Sequence, residues 1–204
     1  KHKTLKFAFP AAEKKTIASI PFGTIVRENL HGEEPCGSWI ACGPLAIAND
    51  GKYGYDTTDQ EIRLTILRGA IYADHYGDRD LYSEYMDQGV HECSYLLYGF
   101  TDRTASEKRA QELNFPLRHV MESFHPGALE ESASCFSCES DHIAVTAVKL
   151  SQDSGEAVVR FFETEGRGGN VTMELLGKRI ETTVARNEIK TLKADGTEVN
   201  LLEW

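Results

Sequence analysis

The chain contains no run of about 18 apolar residues, the length an α-helix needs to cross the hydrocarbon core of a bilayer, so no spanning helix is expected. It also lacks an excess of basic charge. Its 22 Lys and Arg stand against 32 Asp and Glu, a formal net charge of -10. Nucleic acids and anionic membrane surfaces attract basic proteins, so neither is an expected partner. Cysteines are few and do not pair off. Cys36, Cys42, Cys93, Cys135 and Cys138 are odd in number and scattered, which argues against a disulfide-built scaffold and for a reducing, cytoplasmic compartment. No signal-peptide pattern opens the chain. It starts on Lys1 and runs almost at once into the strand-like LKFAF, which reads as a start inside a longer protein.

Familiar catalytic signatures are missing as well. There is no G-x-S-x-G elbow, no P-loop and no G-x-G-x-x-G. The segment His91-Glu92-Cys93-Ser94-Tyr95 fails the H-E-x-x-H zinc-protease pattern at its fifth position. Cys135-Phe136-Ser137-Cys138 has C-x-x-C spacing, with His142 four residues on. No second C-x-x-C or H-x3-5-H supplies the rest of a structural zinc site, so a loop with two free thiols is the simpler reading. Acidic residues are plentiful, but no spacing singles out a pair for glycoside hydrolysis. Asn170-Val171-Thr172 matches an N-glycosylation sequon, which has no use in a cytoplasmic protein.

What the chain does have is strands. Apolar residues alternate at Ile62, Leu64 and Ile66, the period of a half-buried β-strand. Strand-like runs recur at 4–9, 16–27, 38–48, 52–55, 61–68, 91–100, 142–150, 157–163, 171–176, 179–185 and 197–202, with turn signals between them. One short helix is expected from the capping box Thr104-Ala105-Ser106-Glu107, ending near Asn114 and before Pro116. From 69 to 88 the pattern is lost and a long exposed loop is expected. The fold class this predicts is all-β, a large antiparallel β-sandwich with one short helix. With no repeat and no composition shift, residues 1–204 read as a single domain.

Candidate chemistry concentrates between Ala46 and Arg68. The tight turn Asn49-Asp50-Gly51 sets Asp50, Lys52 and Tyr53 side by side. Tyrosine faces stack on sugar rings, and Asp or Lys can bond hydroxyls. Turn chemistry alone also explains Asn-Asp-Gly. Arg68 ends the best strand, where a guanidinium can make bidentate contacts to vicinal hydroxyls or a carboxylate; a surface salt bridge is the plainer role. His91 and Glu92, read as opening a strand, would point to opposite faces and could not share one ion.

The segments IPFGTIVR (20–27), EEPCGSW (33–39), LAIANDGKYGYD (45–56), IRLTILR (62–68) and DQGVHECSYLLYG (87–99) occur in order. They resemble the C-terminal β-sandwich of glycoside hydrolase family 38 α-mannosidases of the bacterial and cytosolic type. The stretches 144–166 and 187–193 resemble that family's later strands. The resemblance implies a galactose mutarotase-like supersandwich and a non-catalytic part of a zinc-dependent, retaining exo-α-mannosidase. The zinc, its ligands and both catalytic carboxylates would lie in an N-terminal catalytic domain. The implied partners are that domain and an α-mannoside glycan, with homo-oligomerisation a further expectation. Arg68 is the position matched to the family's strand-end arginine at the pocket rim, with Asp50, Lys52 and Tyr53 beside it. Gly69-Ala70 and Cys93 depart from the family pattern. Two other readings stand beside this one. One is a stand-alone carbohydrate-binding module. The other is a mutarotase-like epimerase, which would need His75, His91 or His119 to converge with a carboxylate.

Overall fold

The computed structural model describes residues 3–11, 13–28, 32–71, 85–128 and 130–204. Among these described residues, sixteen strands and one helix follow in order. Every strand pairing is antiparallel. The all-β class is thus borne out. Composition gave no reason to divide the chain, yet the residues group into two compact units. Unit 1 holds Lys1–Thr101 and Arg109–Phe115; unit 2 holds Asp102–Lys108 and Pro116–Trp204.

Unit 1 is a sandwich of two sheets. One runs β1 (Thr4–Pro10), β8 (Glu61–Arg68), β7 (Gly54–Thr57), β4 (Glu34–Pro35). The other runs β3 (Gly23–Glu28), β2 (Lys15–Ile20), β5 (Trp39–Cys42), β6 (Leu45–Asn49), β9 (Tyr95–Gly99). Their facing sides meet in one core: Ile62, Leu64, Ile66 and Tyr55 from the first sheet, Ala18, Ile40 and Ile47 from the second. The alternation in 61–68 sends every second residue into this core. In contrast β5 is buried at all four positions. Its second face, with Trp39 and Ala41, and the adjoining Ala46 and Ala48 of β6 are covered by Ala110 and Leu113. A strand buried on both faces loses the alternating signal. The stretches 16–27 and 38–48 each fold as two strands. The turn of the first passes through Pro21 and Phe22, the latter at φ 56°.

Unit 2 pairs a sheet β10 (Phe136–Cys138), β13 (Gly169–Leu175), β14 (Lys178–Val184) with a sheet β11 (Ile143–Leu150), β12 (Ala157–Glu163), β15 (Ile189–Lys193), β16 (Glu198–Val199). Phe161, Val159, Val171, Met173, Leu175, Ile180 and Leu192 form its core. The helix α1 (Arg103–Asn114) starts two residues earlier than the capping box predicts. Asp102 is its N-cap, accepting from the N–H of Ala105 at 2.6 Å. Thr104 instead bonds Thr164 at 2.6 Å and Glu165 at 2.9 Å within unit 2.

Candidate functional site

The turn after β6 is built by Asn49, not by Asp50. The buried Asn49 side chain accepts from the N–H groups of Gly51 at 3.0 Å and Lys52 at 2.8 Å, and its amide donates to the carbonyl of Gly37 at 3.0 Å. Gly51, at φ 131°, takes a backbone conformation that side chains resist. Asp50 is exposed, and its carboxylate accepts from the N–H of Ser94 at 2.6 Å. Its own N–H returns a bond to the Ser94 carbonyl at 3.2 Å. Tyr53 is 64% exposed, its ring free for stacking, and Lys52 is half-buried.

Arg68 closes β8. Because β8 runs antiparallel to β7, its end lies at the same end of the unit 1 sandwich as the Asp50–Tyr53 turn, which joins β6 to β7. A bulge decides which way Arg68 faces. The β1–β8 register slips between Leu5 and Lys6, leaving Ile66 without a partner. Cross-strand partners share a face. Leu67, opposite Leu5, therefore packs on the core, while Arg68, opposite Thr4, turns to the outer face and is exposed. Among the described residues its guanidinium has no ion pair. The Arg68 backbone N–H donates to the carboxylate of Asp87 at 2.9 Å.

The same outer face carries a charge network. Asp56 takes a bidentate pair from Arg63, both bonds 2.7 Å, and lies 3.1 Å from Lys6. Glu33 in turn binds Lys6 and Thr65. Burial raises the Asp56 pKa, but the bonds from Arg63 and Lys6 outweigh it and hold the carboxyl below its ordinary value. Every charge here is answered by another, so the network serves the sheet. Glu163 is similar in unit 2. It is buried and accepts from four backbone N–H groups, those of Glu165, Gly166, Arg167 and Asn187, at 2.8–3.3 Å. Burial opposes its ionisation, and those four bonds outweigh burial and lower the pKa. It anchors loops.

Other expectations resolve differently. Strand β9 begins only at Tyr95, so His91 and Glu92 precede it, both exposed, and the opposite-faces argument does not apply to them. His75 lies outside the described residues. His91 belongs to unit 1 and His119 to unit 2, and among the described residues neither pairs with a carboxylate. Cys138 is half-buried on β10 against the unit 2 core, and Cys135 is exposed. Cys135 lies at a bend just before the strand that carries Cys138. Among the described residues no three His, Cys, Asp or Glu side chains gather as a metal site.

Two family models match, one on each unit. Residues 1–76 match the glycosyl hydrolases family 38 C-terminal domain, and residues 142–203 match the glycosyl hydrolases family 38 C-terminal beta sandwich domain. The chain carries the C-terminal domains of glycosyl hydrolase family 38. Solved family 38 structures share the fold. One is a family 38 protein from Enterococcus faecalis, at 18% identity and TM-score 0.73, covering 93% of this chain and 26% of that one. Another is an alpha-mannosidase from Enterococcus faecalis V583, at 18% identity and TM-score 0.75, covering 93% and 25%. The chain thus spans about a quarter of the length of these structures. No curated protein matches it in sequence. No helix among the described residues is long and apolar enough to cross a membrane.

Proposed function

We propose that this family 38 region is the non-catalytic C-terminal part of a zinc-dependent, retaining exo-α-mannosidase. It lends Arg68, and beside it Tyr53 and Lys52, to the rim of the mannose pocket. The observation that carries the reading is the end of the unit 1 sandwich. An exposed arginine, re-aimed by a bulge, stands at the same end as an exposed tyrosine on a rigidly bonded turn. A guanidinium with no competing carboxylate among the described residues is available to vicinal hydroxyls, and a tyrosine face to a sugar ring. Asp50 serves this end by holding Ser94 rather than by meeting sugar. Zinc and the catalytic carboxylates belong to the catalytic domain in this reading, which places the protein in the cytoplasm.

Two measurements test it. The chain alone, given an aryl α-mannoside and zinc, shows no turnover; clear hydrolysis sinks the non-catalytic reading. In the full-length protein, Arg68→Ala lowers kcat/KM by about tenfold or more, the worth of one charge-assisted hydrogen bond. An unchanged value removes Arg68 from the site.

A further inference from the structure

Arg68 sits where its own strand stops supporting it. β7 begins at Gly54, and its last ladder pair toward this end is Tyr55 with Leu64. Beyond that point, among the described residues, the β7 side of β8 has no neighbouring strand to receive the Arg68 N–H. On the other side, the N–H of Gly69 goes to the carbonyl of Lys3 at 2.8 Å. Asp87 supplies the acceptor that β7 does not, at 2.9 Å.

Asp87 is itself specialised for this. Its φ is 56°, in the left-handed region that Asp and Asn tolerate better than other side chains. The chain around it is laced to the segment after Arg68. The N–H of Met86 donates to the carbonyl of Ala70 at 2.7 Å, Ile71 bridges to Tyr85, and the N–H of Ala70 folds back to the carbonyl of Arg68 at 2.9 Å. Past the exposed run Gln88–Glu92 and the half-buried Cys93, the Asp50 carboxylate grips Ser94. Two carboxylates thus staple this segment, one to the strand bearing Arg68 and one to the turn bearing Lys52 and Tyr53.

We propose that Asp87 is a positioning residue for Arg68: its carboxylate fixes the backbone of the bulged strand end and so the direction from which the guanidinium reaches substrate. This rests on the reading of Arg68 as a rim residue. Three substitutions separate the parts of the role. Asp87→Asn keeps an acceptor oxygen and tolerates the left-handed backbone. Asp87→Gly keeps the backbone but loses the acceptor. Asp87→Ala loses both.

The experiment is hydrolysis of an aryl α-mannoside by the full-length protein, with thermal melting as a folding control. Asp87→Gly and Asp87→Ala are expected to lower kcat/KM by about tenfold, the worth of a hydrogen bond to a charged group. The change is expected to divide between kcat and KM in the same proportion as for Arg68→Ala. Asp87→Asn is expected to recover most of the loss. In an Arg68→Ala background, Asp87→Gly should cost nothing further, because residues acting through one another are not additive. Full activity in Asp87→Gly, or an equal loss in both backgrounds, overturns the positioning role and leaves Arg68 in place. Arg68→Ala without effect overturns the rim reading and this inference together.

Discussion

Among single residues, burial and pairing separate groups that look alike in sequence. Cys36 and Cys135 are both free thiols. Cys36 is buried, its sulfur aimed at the carbonyl of Lys52 at 3.8 Å, and burial pushes its pKa up to about 12. The thiolate is the reactive form. Brief treatment with iodoacetamide at pH 8, read by peptide mass spectrometry, should therefore modify the exposed Cys135 and spare Cys36. Equal modification would show that unit 1 opens readily. Asp56 makes a pH prediction. Its folded pKa lies below the unfolded value of about 3.9. The stabilisation from its pairs with Arg63 and Lys6 is therefore complete above that value. It is lost as pH falls through the lower folded pKa. Asp56→Asn should flatten the acid limb of a stability-versus-pH curve, measured by urea unfolding. An unchanged limb would assign acid sensitivity elsewhere.

Elements show what patterning makes legible. The strand 61–68 matches its prediction end to end, because one side faces core and the other faces charge. The family segments were legible too. The short strands β4, β7 and β10 carry two to four residues, too few for a period to register. β5 hides its strand identity by being buried throughout. The capping box misplaced the start of α1 because Thr104 has tertiary partners, which compete with capping. Asp102→Ala should then cost about 1 kcal/mol of unfolding free energy, as N-cap removal generally does. A neutral result would return the cap to Thr104. Asp87 opens the family segment 87–99, but its role left no signal there, since a left-handed residue that bonds a backbone N–H nineteen positions away is visible only in three dimensions.

For the whole molecule, each unit is organised around its own core and contains one of the two tryptophans. Trp39 is fully buried in unit 1, and Trp204 is 73% exposed in unit 2. Trp39 fluorescence is thus a reporter of unit 1 alone. Leu64→Ala, which empties part of that core, should destabilise the Trp39 transition by about 2–5 kcal/mol in urea. A shift below about 1 kcal/mol would mean that the core closes over the missing side chain. The division into two units escaped the sequence because both sandwiches have the same ingredients, short antiparallel strands with Gly-rich turns, and no linker of distinct composition separates them.

The unpartnered Ile66 has an evolutionary implication. The side to which Arg68 turns is governed by how many residues β1 contains between Leu5 and Lys6. One residue inserted there would pair with Ile66, restore strict alternation, expose Leu67 and turn the arginine toward the core. A relative can therefore keep I-L-R unchanged and still lose the rim contact, through an insertion near its start that no inspection of the motif would reveal.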